Sequence, residues 1–142
     1  MNLKSVFMLR KRCELRAFSL PELLVVLVII GILVLIALPN LMPLISKAKA
    51  TEAQQQLVFL HSLQKSYFYT NSLYSESLEE IGFIQEPLVI DGGKANYLIS
   101  IEEVTENGFR AVATAVVDFN GNGILNVWEI NENKDLTEIV KD

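Results

Sequence analysis

The chain has 142 residues, is 51% hydrophobic, and carries 17 acidic against 12 basic residues for a net charge of −5. That length suits one modest domain, and so acidic a chain does not hold nucleic acid by neutralising phosphates across its average surface. With one cysteine, Cys13, one histidine, His61, and no recognisable pair of acids, the composition points away from an enzyme.

Residues 1–17 show little periodicity and are basic, with Lys4, Arg10, Lys11, Arg12 and Arg16 against Glu14 alone. Residues 17–40 then read AFSLPELLVVLVIIGILVLIALPN, in which every side chain from Leu23 to Leu38 is aliphatic apart from Gly31. With Phe18 and Leu20 the apolar span approaches the roughly 20 residues a helix needs to cross a bilayer. By the positive-inside rule the basic end stays cytoplasmic, and everything after Asn40 is delivered outside. A secretory signal is cut after its apolar region, behind small residues. No such site follows Leu38. The small residue Ala17 instead stands before the run, where a cut removes the leader and keeps the anchor.

Ser19-Leu20-Pro21-Glu22 fits a capping box, with Ser19 as N-cap and Glu22 three residues on. Pro21 sits in the first turn, where its missing N–H costs nothing, and it biases Leu20 away from helix. An acid at this depth costs energy unless it is paired, so Glu22 is a functional candidate as well as a cap. Gly31, Pro39 and Pro43 punctuate the helix, because Gly weakens it and Pro removes a backbone bond.

From Leu44 the pattern turns amphipathic. Ala53, Leu57, Leu60, Gln64 and Tyr67 recur at helical spacing, which predicts about seven more turns with one buried face. Phe59 falls nearly opposite that stripe, as a stray exposed aromatic or a contact between subunits. His61 borders the stripe as a satisfied helix-edge residue. Residues 69–93, rich in Ser, Asn, Glu, Gly and Pro, read as a connecting loop with a short helical candidate over 77–81. A β-meander follows. Tyr97, Ile99 and Ile101 alternate with Leu98, Ser100 and Glu102, and Glu106-Asn107-Gly108 signals a tight turn. Residues 109–117 carry Ala111, Ala113 and Ala115 on one face, small enough for the sheet to approach the helix closely. Residues 126–130 and 136–140 supply two more strands around Asn131-Glu132-Asn133-Lys134.

One stretch has metal-ligand spacing. Residues 118–129, DFNGNGILNVWE, fit the calcium-loop pattern D-x-[DN]-x-[DN]-G-x₅-E. Side-chain oxygens of Asp118, Asn120 and Asn122 can converge, Gly123 permits the turn, Ile124 offers its carbonyl, and Glu129 can bind bidentately. Asn126 contributes directly or through water. Flanking strands and only two charged ligands leave an Asn-Gly-rich turn as the other reading. Bound calcium would fall in the weak, roughly millimolar class that suits an extracellular site.

The segment RAFSLPELLVVLVIIGILVLIALPNL resembles the N-terminus of type IV pilins and type II secretion pseudopilins. The resemblance implies a prepilin peptidase that cuts between Ala17 and Phe18 and methylates the new amine. It also implies that Glu22, fifth in the processed chain, pairs with the Phe18 amine of a neighbouring subunit. Gly31 and Pro39 fall where the family has them, and the stretch between them can unwind in filaments. Two positions depart from the pattern: Ala17 replaces the usual Gly, and Pro21 an aliphatic residue. The implied fold is α+β, one long N-terminal helix, first transmembrane and then amphipathic, packed on a four-stranded antiparallel meander. The implied parts are a leader over 1–17, a transmembrane and assembly segment over 18–43, and an extracytoplasmic domain over 44–142.

The implied function is a structural subunit of a type IV pilus or a type II secretion pseudopilus, the two not separated by the chain itself. Its expected partners are copies of itself in a helical filament, the prepilin peptidase, an inner-membrane assembly platform and the membrane. The expected location is the bacterial inner membrane, crossed once, with the C-terminal domain periplasmic or extracellular and assembled into a fibre. Loss of residues 1–17 leaves 7 Lys and Arg against 16 Asp and Glu, a side-chain charge of −9, and no cysteine for a disulfide. Some pseudopilins brace this end of the domain with calcium. The alternative is a membrane-anchored calcium-binding domain that never polymerises, and Glu22 discriminates, because a lone anchor has no need of it.

Overall fold

The computed structural model describes residues 18–141; the basic leader and Ala17 lie outside them. Its longest element is helix α1, Leu20–Asn71. The chain divides into two compact units, Met1–Ala37 and Leu38–Asp142.

In the first unit α1 begins at Leu20, with the Leu23 N–H donating to the Ser19 carbonyl at 3.2 Å. Leu20 is therefore helical despite the Pro that follows it, because Pro21 lies early enough that its ring meets no preceding turn. Every described side chain of this unit is exposed. An 18-residue window of mean hydropathy 3.0 has no buried residue. By length and composition this helix can cross a membrane, since its backbone satisfies its own hydrogen bonds.

In the second unit α1 buries one stripe: Ala53, Leu57, Leu60 and Gln64 are each 0% exposed. The helix stops at Asn71, where Ser72 takes a left-handed φ of 59° and its N–H donates to the Phe68 carbonyl at 2.8 Å. The sheet covering the stripe comprises β1 (Tyr97–Val104), β2 (Phe109–Ala115), β3 (Val127–Asn131) and β4 (Leu136–Val140), antiparallel in that spatial order. Two middle strands are displaced by one or two residues from their expected ends, over 109–117 and 126–130. Tyr97 and Ile99 point into the core and Leu98 is exposed, the period-two pattern read from the sequence. Ala111, Ala113 and Ala115 also face the core, and the room they leave is filled by Leu57, Leu60, Tyr97 and Ile130. His61 is satisfied, its Nε2 lying 3.1 Å from the Glu132 carbonyl.

The connecting loop is held by long-range polar clasps. Buried Gln64 donates to the Ser75 carbonyl at 2.7 Å and accepts from the Ser75 N–H at 3.1 Å. Both carboxylate oxygens of Glu52 accept from Asn96, at 2.7 and 2.6 Å, tying the start of β1 to the helix. Residues 78–82 form successive turns, and no helix forms over 77–81. The Ser75 hydroxyl accepts from the Ser77 N–H and donates to Glu80, so side chains take over bonds a helix would need. An unforeseen 3₁₀ turn, Val89–Asp91, precedes Gly93, where a Cβ would collide with the Pro87 carbonyl. The Gln85 amide lies along the outer edge of β1, donating to the Tyr97 carbonyl at 3.2 Å and accepting from the Ile99 N–H at 3.0 Å.

Replacing Gln64 with Leu keeps the volume but orphans two buried Ser75 backbone groups. At about 1–3 kcal/mol for each unsatisfied group, Gln64→Leu is expected to destabilise the domain by about 2–6 kcal/mol, read from urea melts of the detergent-solubilised chain. A loss below half a kilocalorie would show that the clasp contributes nothing.

Candidate functional site

The first candidate site is the start of α1. Phe18 is 75% exposed, and Ala17 on the other side of the expected cut lies outside the described residues. Oε2 of Glu22 accepts both the Ser19 N–H and the Ser19 hydroxyl, each at 2.9 Å. Half of the expected capping box is present: Glu22 reaches back to the Ser19 N–H, but the Ser19 hydroxyl turns to the carboxylate and not to a helix N–H. Both bonds fall on Oε2, so the cap leaves Oε1 without a partner among the described residues. Pro39 and Pro43 lie inside the helix, and an added Cβ at Gly31 would meet no atom within 4 Å. Nothing packed against Gly31 within one copy accounts for a glycine there.

The second candidate is the loop between β2 and β3. Asp118 is its hub: Oδ1 accepts the N–H groups of Asn120 at 3.0 Å and Gly121 at 2.6 Å, and Oδ2 accepts that of Gly123 at 2.6 Å. The Asn120 side chain accepts from the Asn122 N–H at 2.9 Å, and that of Asn122 from the Ile124 N–H at 2.7 Å. Gly123, with φ of +83°, makes the turn. The N–H of Gly123 above all, against some desolvation and with help from Gly121, Asn120 and Asn122, holds the Asp118 carboxyl below its usual range.

The remaining expected ligands have other partners. Glu129 Oε2 accepts from Arg110 Nη1 at 3.2 Å. Asn126 is buried, accepts from the Tyr97 hydroxyl at 2.8 Å, and donates to Glu138 at 2.7 Å and to the Val140 carbonyl at 3.0 Å. Among the described residues no three His, Cys, Asp or Glu side chains are grouped to hold a metal ion. As placed, the donor set is incomplete for calcium, whose bidentate Glu129 requires release of Arg110. The sequence pattern does not reveal Arg110 or Tyr97 as partners, because both arrive from other strands.

A helix that is apolar on every side and is preceded by Phe18-Ser19, followed by a helix-backed antiparallel meander, has the architecture of a type IV pilin. The comparisons agree. Residues 16–38 match the prokaryotic N-terminal methylation motif. Over 85 residues the chain is 40% identical to the type IV major pilin protein PilA of Myxococcus xanthus (strain DK1622), a match covering 60% of this chain and 37% of that protein. The chain thus spans little more than a third of the relative it matches. In segment, in sequence and in fold the chain is thus similar to type IV pilins.

A depressed carboxyl contributes stability that is complete above the ordinary aspartate pKa, about 4, and lost as pH falls through the lower folded value. Asp118→Asn should therefore melt below the wild type at neutral pH and converge with it in acid. A gap that persists below about pH 2 would assign the effect to shape and not to charge.

Proposed function

We propose that the chain is a structural subunit of a type IV pilus, polymerising through α1 after a prepilin peptidase cuts between Ala17 and Phe18 and methylates the Phe18 amine. In this reading residues 18–43 anchor the subunit in the inner membrane, with the following domain on the outer side. An assembly platform there adds subunits one at a time. Likeness to a major pilin favours a pilus over a secretion pseudopilus.

The observation that carries the proposal is Glu22 in its setting. An ionised residue at a helix centre costs roughly 2.5–3.5 kcal/mol on insertion scales, less near the interface. Insertion alone thus gives no reason for the acid, and the local cap engages only Oε2. In a filament core Oε1 can meet the Phe18 amine of an adjoining subunit, a charge-assisted bond that fixes axial register. The side chains exposed from Leu23 to Leu38 in one copy are then covered by other helices.

The mature chain should begin at a methylated Phe18 by mass spectrometry. Glu22→Val should leave expression, insertion and cleavage intact and lower the sheared surface-fibre fraction about tenfold or more, as expected for loss of a hydrogen bond to a charged group. Wild-type fibre yield from that variant would reduce Glu22 to a cap.

Calcium at Asp118 is a second reading, favoured by the loop spacing and opposed by the Arg110–Glu129 contact. It predicts a calcium-dependent rise in Tm that Asp118→Ala removes and Arg110→Ala enlarges by freeing Glu129. Melting curves that do not move over millimolar calcium would leave a loop closed by its own N–H groups.

A further inference from the structure

Three side chains with the parts of a reaction meet just ahead of β1. Lys49 and Glu52 stand one turn apart on α1, and both reach Asn96, which is 6% exposed. Lys49 Nζ donates to Asn96 Oδ1 at 3.2 Å, which brings the amine within one bond of the amide carbon. On the other side of the same amide, Asn96 Nδ2 donates to Glu52 Oε2 at 2.6 Å. The Asn96 N–H donates to Glu52 Oε1 at 2.7 Å, and the Asn96 carbonyl accepts from the Val116 N–H at 2.9 Å. Backbone and side chain of Asn96 are thus both fixed. The flanking residues Ala50, Ala53, Ala95 and Tyr97 are buried.

An amine, an amide carbon and a carboxyl group in contact can carry out a transamidation. We propose that Lys49 and Asn96 join as an isopeptide, with Glu52 as the acid that serves the leaving nitrogen. The neutral Lys49 amine adds to Asn96 Cγ, forming the Nζ–Cγ bond while the π pair moves to Oδ1. Nζ loses a proton to solvent, and Nδ2 takes one from the protonated Glu52 carboxyl. The returning π pair breaks the Cγ–Nδ2 bond and expels ammonia, and water returns a proton to Glu52. Lysine and asparagine thus give one secondary amide and one ammonia, with no oxidant, reductant or cofactor. Glu52 makes no ion pair with Lys49 among the described residues, so it serves Nδ2 and not Nζ. Groups held in such an orientation react as if at about 10⁵ M or more, and the departure of ammonia carries even a slow reaction to completion. The product closes residues 49–96 into a covalent loop, in a chain with no cysteine after Cys13. The bond forms within one copy, so the inference is independent of the filament reading.

The full-length chain in detergent, aged at neutral pH, should be lighter by about 17 Da, the mass of one ammonia. Its tryptic digest should contain a peptide joining Lys49 to Asn96. Lys49→Arg keeps the charge and a donor but lacks the nucleophile. It should hold its full mass, lack the joined peptide, and melt about 10 °C or more below the wild type, as for loss of a disulfide closing a loop of this size. Glu52→Gln should slow conversion about a hundredfold or more, the usual contribution of a general acid. Full mass and no joined peptide in the aged wild type overturn the inference, and that reading holds even where a variant fails to fold. So does a loss of about 17 Da that persists in Lys49→Arg, which would be a succinimide at an Asn-Gly step. A wild-type rate in Glu52→Gln overturns the part given to Glu52.

Discussion

Coverage of one helical stripe is the interaction on which the second unit depends. Ala53, Leu57, Leu60 and Gln64 lie on one face of a helix whose earlier turns are apolar all round. Had the stripe stayed open, the helix would have had no reason to change character at Leu44. The sheet covers it, and the sheet's small central residues make room for large ones beside them. Core burial of this size leaves a domain of about 100 residues only marginally stable. With no disulfide available after residue 17, the ends of the domain are joined to its centre by polar clasps. Glu52 grips Asn96, Gln64 grips Ser75, and Asn126 joins Tyr97 to Glu138 and Val140. Each replaces a covalent tie with hydrogen bonds in a partly dry setting, where they are electrostatically stronger than in water.

The parts legible in the sequence are those governed by neighbours along the chain. Helical spacing in residues 53–67 and alternation in 97–101 are local signals, and both elements stand where those signals put them. The loop over 69–93 was legible only as a loop. Its course is set by Gln64 and by β1, partners 11 to 14 residues distant. The stretch over 77–81 shows the limit well: five residues have helical composition, yet serine side chains nearby offer shorter closures. The same holds for the loop at Asp118. Its turn residues announce a turn, and a turn is present. The engagement of Glu129 by Arg110 depends on the register that sets Val112 opposite Glu129, which places Arg110 diagonally across on the same face. No count of intervals within 118–129 contains that information.

Glu22 and Trp128 pose the same physical question in different solvents. Each is a polar group in an apolar neighbourhood, and each is only partly answered inside a single copy. For Glu22 the cap accounts for one oxygen. For Trp128 nothing within the described residues accounts for the N–H. In the proposed filament a neighbouring copy would complete Glu22. Trp128 keeps its open N–H as a plain loss of stability.

The Gln85 amide has a different bearing on self-assembly. By occupying the outer edge of β1 at Tyr97 and Ile99, it acts as a one-residue strand. A bulge between Ile101 and Glu103 disturbs the ladder just beyond. Exposed strand edges recruit one another indiscriminately, and molecules crowded in a plane at one height would present theirs at matching levels. Blunting this margin disfavours sideways zippering between copies, which in the proposed filament would compete with ordered growth. One glutamine rotamer thereby serves as insulation, closing two backbone groups of a strand edge that would otherwise be open to pairing.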